Sequence, residues 1–205
     1  NSIGSGQVLQ CPYSAEKARI VIREMADALA LELVEKGLAT DQLTLTVGYD
    51  IENIQDPERL SRYQGEIKKD RYGRFVPKHS HGTENIGKYT SSTRKIQDAA
   101  DALFHRIVDP GLLIRRLNIT ANHVMSEREV PEADACEQMD LFVDYEIMQE
   151  EKRREEAEQV REKKIQSTVL DIKRKFGKNA ILKGTALEDG ATSRERNQKI
   201  GGHQA

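Results

Sequence analysis

The sequence predicts an α+β fold, in which two helices cover one face of a four-stranded β-sheet and a long charged helix and a polar tail follow. Two segments repeat apolar residues at steps of three and four, which is the spacing of one helical face. Other segments alternate apolar and polar residues, as strands with one buried face do. The 75 residues from 131 to 205 contain only 14 Leu, Ile, Val and Phe, as many as the first 50 residues. A compact domain should therefore end near residue 130.

The first strand, helix and second strand lie in residues 6–49. We place a short strand at residues 6–9, because Cys11-Pro12 prevents a helix from beginning earlier. Ser14 should cap the first helix and Gly37 should end it. The apolar face between them consists of Ala18, Val21, Ile22, Met25, Leu29 and Leu33. Residues 43–49 then alternate apolar with polar side chains, which predicts the second strand.

A long polar segment, residues 50–78, follows the second strand. Within it, residues 65–67 and 74–76 flank a polar run at 68–73, which predicts a hairpin. We place the third strand at residues 83–91, mainly because the domain needs one.

The second helix and the fourth strand complete the predicted domain. Ser92 should cap this helix and Asp109-Pro110-Gly111 should end it. Its apolar stripe consists of Ile96, Ala99, Ala100, Leu103, Phe104 and Ile107. Residues 116–122 alternate again, so the element order is β-α-β-β-α-β, which leaves one face of the sheet to solvent.

The charges are nearly balanced overall but are segregated along the chain. There are 32 Lys and Arg against 34 Asp and Glu, so bulk charge alone predicts neither a nucleic-acid nor a membrane partner. Residues 51–130 carry 14 basic and 11 acidic side chains, whereas residues 1–50 carry four and seven. No apolar run approaches the ~20 residues of a membrane span, and no signal-peptide pattern is visible. We expect a cytoplasmic protein, and the first residue, Asn1, suggests a fragment of a longer chain.

Catalytic and metal-binding patterns are missing from the sequence. Cys11 and Cys136 lie too far apart to suggest a paired ligand spacing, and we interpret them as reduced thiols. The histidines at 79, 81, 105, 123 and 203 lack supporting ligands at helical spacing. No nucleophile, base and orienting acid stand at an informative spacing. The sequence therefore predicts neither a metal site nor a catalytic residue.

Three segments resemble the little-finger domain of Y-family translesion DNA polymerases: Asn1-Ser2-Ile3-Gly4, Thr83-Glu84-Asn85-Ile86-Gly87 and Ile114-Arg115-Arg116-Leu117-Asn118-Ile119. Within that family the chain is similar to the bacterial UmuC-like (ImpB/MucB/SamB) proteins. Their C-terminal ends resemble residues 175–184 and the run Ile200-Gly201-Gly202-His203.

This resemblance implies a division of the chain and a role in DNA repair within the SOS response. The implied parts are the end of a thumb linker (1–5), the little finger (6–130), a clamp-binding linker (131–143), a charged helix (144–176) and a polar tail (177–205). The sheet should lie on a template-primer duplex without reading its sequence. Nothing resembles the palm, so this fragment should have no polymerase activity and no cofactor, whereas the parent enzyme would use Mg²⁺ in its palm.

Cations and hydrogen-bond donors for phosphates are the DNA-binding residues that the resemblance implies. On the sheet they are Lys88, Thr90, Ser91, Arg115, Arg116 and Asn118. Without the resemblance, an ordinary solvated sheet face would be the better interpretation. The polar segment adds Lys68, Lys69, Arg71 and Arg74. These four cations could reach phosphates or could belong to a solvated loop, and the sequence favours neither.

The run Gln138-Met139-Asp140-Leu141-Phe142 resembles the motif by which bacterial polymerases bind the sliding clamp. It follows an acidic stretch, residues 132–137, without a core pattern. An exposed Leu-Phe pair in such a stretch indicates a receiving pocket on a partner. In the alternative, Leu141 and Phe142 pack against Tyr145 and Met148 at the start of the next helix.

Residues 144–175 are dense in Glu, Lys and Arg and predict a long helix. Its second half carries a narrow apolar stripe that could dock on a neighbour: Val160, Ile165, Val169, Ile172 and Phe176. Residues 150–158 should be solvated, and residues 180–205 should be weakly ordered. The alternative function is a protein-interaction module that recruits repair partners through this helix.

Overall fold

The computed structural model of the protein describes residues 1–130, 145–200 and 203–204. The strands are β1 (Ile3–Tyr13), β2 (Leu38–Tyr49), β3 (Ile67–Lys69), β4 (Phe75–Pro77), β5 (Ser80–Thr90), β6 (Ile114–Asn122), β7 (Met125–Ser126), β8 (Lys199–Ile200) and β9 (His203–Gln204). The helices are α1 (Ala15–Lys36), α2 (Glu52–Gln55), α3 (Pro57–Arg62), α4 (Thr93–Ile107), α5 (Tyr145–Phe176) and α6 (Ser193–Arg196), with a 3₁₀ turn at Gly184–Leu187. The predicted α+β class is confirmed.

The main sheet has the strand order β1-β6-β2-β5, and every neighbouring pair is antiparallel. The short β7 pairs with the start of β2. The strands β3 and β4, which lie between β2 and β5 along the chain, form a separate hairpin outside this sheet. The predicted β-α-β-β-α-β order is therefore confirmed, with the hairpin as an insertion.

The edge strands are longer than the sequence predicts. The first strand covers Ile3–Tyr13 instead of residues 6–9, and the third covers Ser80–Thr90 instead of 83–91. Both lie at the edges of the sheet, where most side chains are partly or fully exposed. Their hydrophobic pattern is therefore weak, and the hydrogen bonds to the neighbouring strand determine where they begin and end.

The core lies between the sheet and helices α1 and α4. Nearly all of the predicted apolar faces of these helices are buried, and they meet Leu43, Leu45 and Val47 of β2 and Leu117 and Ile119 of β6. The Ser14 hydroxyl accepts a hydrogen bond from the backbone N–H of Lys17 at 3.4 Å, and Ser92 does the same for Lys95 at 3.3 Å. Both predicted N-caps are therefore confirmed, as is the left-handed Gly37 that ends α1.

Residues 50–78 form helices α2 and α3 and the β3–β4 hairpin, rather than an irregular loop. A fully buried amide, Asn53, attaches this segment to the sheet. Its Nδ2 donates to the carbonyls of Asp50 and Leu113 at 2.9 and 2.8 Å, and its Oδ1 accepts from the Leu113 N–H at 2.8 Å. All the hydrogen-bonding groups of this amide are thus occupied, so the start of the insertion is rigidly placed.

Helix α5 packs against the N-terminal end of α4 through polar side chains. Glu162 accepts hydrogen bonds from the Ser92 hydroxyl at 2.6 Å and the Arg94 N–H at 3.0 Å. The buried Gln166 donates to the carbonyl of Ser91 and to the Thr93 hydroxyl, both at 2.9 Å. A carboxylate at this position is favoured because helix N-termini have unpaired N–H groups and a positive partial charge.

Only part of the predicted apolar stripe of α5 docks, since Val169 and Ile172 are half-buried. Val160, Ile165 and Phe176 are each more than half exposed. The predicted solvated half also has partners, since Glu155 and Glu158 form ion pairs with Lys95 and Arg94. Apolar spacing could not reveal this interface, because its contacts are hydrogen bonds and ion pairs to another helix.

Within the described residues, the polar tail packs against α1 through residues 183–193, where the sequence predicted weak order. The buried carboxylate of Glu24 accepts the backbone N–H groups of Thr192 and Ser193 at 2.8 and 3.1 Å. Lys183 pairs with Asp27 at 2.6 Å, farther along the same helix. Each contact joins residues more than 150 positions apart, which is why local sequence pattern did not predict them. Across residues 1–130 and 145–200, every helix is too short or too polar to span a lipid bilayer.

Asp101 of α4 joins the two helices that cover the core, because its carboxylate accepts two hydrogen bonds from Arg19 of α1. Nε of Arg19 donates to Oδ1 at 2.6 Å, and Nη2 donates to Oδ2. These hydrogen bonds lower the pKa of Asp101 from its ordinary value of 3.8. We expect Asp101→Asn to lower the free energy of unfolding by about 1 kcal/mol at pH 7, since Arg19 is partly exposed and screened. A carboxyl with a lowered pKa stabilises the fold above its ordinary pKa and stops doing so as the pH falls through its folded value.

Urea unfolding at pH 7, 5 and 3 measures this difference. The loss should be the same at pH 7 and 5 and should shrink below pH 3.8. Asp98→Asn is the control, since Asp98 is exposed on the same helix and has no ion pair within the described part of the chain. An equal loss from both variants would show that the Arg19 contact is not the cause.

Candidate nucleic-acid interface

One face of the main sheet carries no helix, and its side chains are almost all small or polar. Along each strand they are the residues that alternate with the buried ones. The face consists of Gly4, Gly6 and Val8 on β1, Gln42, Thr44, Thr46 and Gly48 on β2, His81, Thr83 and Asn85 on β5, and Arg116, Asn118, Thr120 and Asn122 on β6. We call this set the open face. None of its members is Asp or Glu, so no carboxylate of this set would repel an anion.

Hydrogen bonds between neighbouring strands hold the side chains of the open face. Thr44 and Thr83 join their hydroxyls at 3.2 Å, and the Thr46 hydroxyl lies 2.9 Å from Nδ1 of His81. The Asn122 amide donates to the Thr44 hydroxyl at 2.7 Å. These cross-strand pairs fix the positions of the side chains on the face.

Two glycines leave the β1 side of the open face without side chains. A Cβ at Gly4 would lie 2.6 Å from the Thr120 hydroxyl oxygen, and one at Gly6 would lie 3.2 Å from the Asn118 amide oxygen. Any larger residue at Gly4 would therefore displace its neighbour on β6. Glycine here allows a ligand to approach the backbone of the sheet closely.

A groove of about 750 Å³ separates the end of the open face from the β3–β4 hairpin. Only three acidic residues line it, namely Asp50, Glu52 and Asp70. Its basic residues are Lys68, Lys69, Arg71, Arg74, Lys78, Arg115 and Arg116. The structure thus brings together the basic residues that the sequence predicted in two segments more than 40 positions apart.

The cations of the groove differ in how far they are already engaged. Arg71 and Arg116 are exposed, and their guanidinium groups form no hydrogen bond or ion pair with any residue that the structure describes. Arg115 donates to the Gln10 carbonyl at 2.9 Å and lies 3.7 Å from Asp50. Arg74 pairs with Asp70 at 2.6 Å. Arg71 and Arg116 are consequently the arginines of the groove most available to a ligand, and Lys69 is available too, since its ammonium has only the Phe75 ring beside it within the described residues.

Glu66 forms ion pairs with two lysines that line the groove. Lys68 and Lys78 lie 3.3 and 2.9 Å from its carboxylate. Hydrogen bonds from Lys78 and Lys68 lower the pKa of Glu66, and the same contact raises the pKa of Lys78. Glu66 and Lys78 are therefore charged at neutral pH, and the carboxylate of Glu66 partly neutralises the two lysines beside it.

Three of the predicted DNA-binding residues lie at the far end of β5, away from the groove. Ser91 is buried and its hydroxyl donates to Glu127 at 2.6 Å, while the Thr90 hydroxyl accepts from the Ser92 N–H at 3.0 Å. Lys88 is exposed, but it lies near α5, where it helps Lys95 to lower the pKa of Glu155. We leave these three residues out of the candidate interface.

Asn118 and Arg116 lie on the open face as the sequence predicted. Sequence reasoning missed His81, Thr83 and Asn85, because β5 is polar throughout and its two faces cannot be told apart from hydrophobicity. The cross-strand register supplies this information, since these three residues stand opposite Thr46, Thr44 and Gln42.

The predicted clamp-binding run, residues 138–142, lies outside the described residues, so the contacts of Leu141 and Phe142 are not decided. Among the residues that are described, no three His, Cys, Asp and Glu side chains come together as a metal site would require. His123 instead pairs with Asp41 at 2.9 Å, and Cys11 is a free, exposed thiol.

Comparison with protein families matches residues 1–141 to the impB/mucB/samB family C-terminal domain. Comparison with curated proteins gives no match. The matched region is more than two thirds of the chain and contains the main sheet, helices α1 and α4, the hairpin and the groove. The chain therefore belongs to the impB/mucB/samB family of polymerases, whose C-terminal domain it carries.

Proposed function

We propose that the domain binds the sugar-phosphate backbone of a template-primer duplex on its open face and in the adjoining groove, during translesion synthesis in the cytoplasm. The observation that carries this proposal is an open face without carboxylates that continues into a groove lined by seven Lys and Arg. Duplex DNA carries one negative charge per ~1.7 Å of its axis, so such a surface attracts it whatever its sequence.

The shape of the open face argues against base recognition. A side chain must enter the major or minor groove to read base edges, usually from a helix or a β-ribbon. The open face instead offers hydroxyls, amides and glycine backbone, which suit phosphate and sugar contacts. Binding of this kind positions the duplex without sequence preference, which an enzyme that copies any template requires.

Membership of the family supports a polymerase as the parent enzyme. We propose that this chain contributes DNA binding and not catalysis. No segment of the sequence resembles the palm, where the parent would hold Mg²⁺. We therefore propose that the fragment has no polymerase activity of its own and requires no cofactor to bind DNA.

We predict that Arg71→Ala combined with Arg116→Ala weakens binding to all duplex sequences alike. The plot of log affinity against log salt concentration should become less steep, by up to about 0.9 for each phosphate that the variant no longer neutralises. Fluorescence anisotropy with labelled duplexes of two unrelated sequences, at several salt concentrations, measures both effects. Arg115 is kept, because its substitution would remove the hydrogen bond to Gln10. The variant could then lose stability as well as DNA affinity.

The matched control is Arg153→Ala combined with Arg161→Ala, which removes the same charge from exposed positions of α5. This variant should keep nearly the original slope. The proposal fails if both double variants lose the same affinity, or if the unmodified chain does not bind duplex DNA at low salt.

We further propose that Gln138-Met139-Asp140-Leu141-Phe142 binds a pocket of the bacterial sliding clamp. The support is the resemblance of this run to the motif of bacterial polymerases and its place directly after the domain. Two buried apolar side chains contribute roughly 1.5 to 3 kcal/mol each, less the cost of ordering the peptide. Affinity in the micromolar range is the natural expectation.

Leu141→Ala combined with Phe142→Ala should abolish clamp binding while DNA affinity and melting temperature stay nearly unchanged. Surface plasmon resonance on immobilised clamp and thermal unfolding measure these quantities. Val160→Ala with Leu187→Ala is the control, since both residues are exposed and apolar elsewhere in the chain. A large fall in melting temperature would instead favour packing of Leu141 and Phe142 against the start of α5.

A further inference from the structure

The β3–β4 hairpin exposes two aromatic side chains among its cations. Tyr72 at its tip is 72% exposed, and Phe75 on β4 is 56% exposed. Tyr72 also lines the groove beside the open face. Large aromatic side chains normally contribute to the core, so an exposed pair on a polar hairpin indicates a ligand.

Each of these rings has a cation beside it. Nζ of Lys69 lies 5.2 Å from the centre of the Phe75 ring, and the Arg74 guanidinium carbon lies 5.2 Å from that of Tyr72. Arg71, between these two pairs, has no partner among the described residues. The hairpin therefore alternates rings with positive charges over only seven residues.

Hydrogen bonds to Asp70 order the tip of the hairpin and hold the backbone of Tyr72 in place. The Asp70 carboxylate accepts the N–H groups of Tyr72 and Arg74 at 2.8 and 2.9 Å, and it pairs with the Arg74 guanidinium. The two backbone arms close through the Asp70 N–H, which donates to the Arg74 carbonyl at 2.8 Å. At the base, the Lys78 N–H donates to the Glu66 carbonyl at 2.8 Å and joins the two arms, and Pro77 is buried.

Single-stranded nucleic acid is the ligand that this alternation fits. Unpaired bases stack on aromatic rings while their phosphates contact neighbouring cations, and this recognition tolerates any sequence. The bases of a duplex are already stacked on one another and offer no free ring face. A protein partner would not require a cation beside each ring, whereas a strand with one phosphate per base does.

We propose that the β3–β4 hairpin binds single-stranded DNA, with unpaired bases stacked on Tyr72 and Phe75 and phosphates at Lys69, Arg71 and Arg74. This inference rests on the proposed function, because the groove connects Tyr72 with Gly48 and Arg116 of the open face. A strand that leaves the duplex at this end of the sheet would run directly to the hairpin. The preferred ligand is thus a junction between duplex and single strand.

Three probes of equal label test the inference by fluorescence anisotropy: a blunt duplex, the same duplex with a single-stranded thymidine overhang, and the thymidine strand alone. The unmodified chain should bind the overhang duplex more tightly than the blunt one. Tyr72→Ala combined with Phe75→Ala should weaken binding of the overhang duplex and the single strand by about fivefold or more per ring. Blunt-duplex affinity should fall much less than the affinity for either probe that contains a single strand, because Tyr72 only borders the groove.

Phe176→Ala is the matched control, because Phe176 is 66% exposed at the end of α5 and has Lys175 5.2 Å from its ring. It should leave all three affinities unchanged. Tyr72→Phe keeps a ring and should keep single-strand affinity, even if the double alanine variant disturbs the hairpin.

Intrinsic tyrosine fluorescence gives a second measurement, since the chain has six Tyr and no Trp. Stacking of the thymidine strand should quench part of this emission, and Tyr72→Phe should remove that part of the quenching while affinity is kept. Quenching that persists in Tyr72→Phe would contradict stacking on Tyr72.

The possible failures are distinguishable. Unchanged single-strand and overhang affinities in the double alanine variant overturn the hairpin site, and blunt-duplex binding would still support the proposed function. Loss of blunt-duplex binding in the unmodified chain overturns the proposed function, whatever the hairpin does. Tenfold tighter binding of single-stranded RNA of the same length would show that DNA is the wrong ligand.

Discussion

The pairing of β2 with β6 is the constraint on which the rest of the structure depends. These strands lie at the centre of the sheet, and their register sets Leu45 opposite Ile119 on the buried face and Thr44 opposite Thr120 on the open face. Gly48 stands opposite Arg116, but the next residue of β2, Tyr49, stands opposite Ile114. The register therefore shifts by one residue at this point. Arg115 is the extra residue of this bulge.

The bulge separates the roles of two adjacent arginines. Arg116 continues the alternation of β6. Its side chain extends from the open face, and its guanidinium has no hydrogen bond or ion pair with the described residues. Arg115 is diverted toward the Gln10 carbonyl and Asp50, where it ties β1 to the start of the insertion. One arginine thus holds the groove together while its neighbour remains available to a ligand.

Most of the central fold could be predicted from the sequence, because it follows from local periodicity. The apolar steps of α1 and α4, the caps Ser14 and Ser92, and the alternation in β2 are all local signals. The site was predicted less completely. Arg116 and Asn118 followed from the alternation, and Arg115 followed from the resemblance alone. A bulge at Gly87, where the backbone is left-handed, breaks the period of β5. Thr90 and Ser91 therefore lie at the end of the strand, among contacts with α4 and α5.

What the sequence could not predict is the polar packing of α5 and the tail. Glu162, Gln166 and Glu24 have the pattern of solvated residues, since each lies in a charged or polar context along the chain. Their partners are backbone N–H groups and carbonyls on distant elements. Such contacts leave no trace in hydrophobic spacing, because their energy comes from satisfying buried polar groups.

The buried carboxylate of Glu24 has an evolutionary consequence. One of its oxygens accepts the N–H groups of Thr192 and Ser193, whereas the other has no partner within the described residues. Arg196 lies close by, and its pKa is lowered by burial, which the charge of Glu24 partly opposes. A change at position 24 would leave the N–H groups of Thr192 and Ser193 without their acceptor, since Glu24 is the acceptor for both. Among homologues, we therefore expect an acidic side chain at position 24 only where the tail also supplies the N–H groups of the turn at residues 192–193.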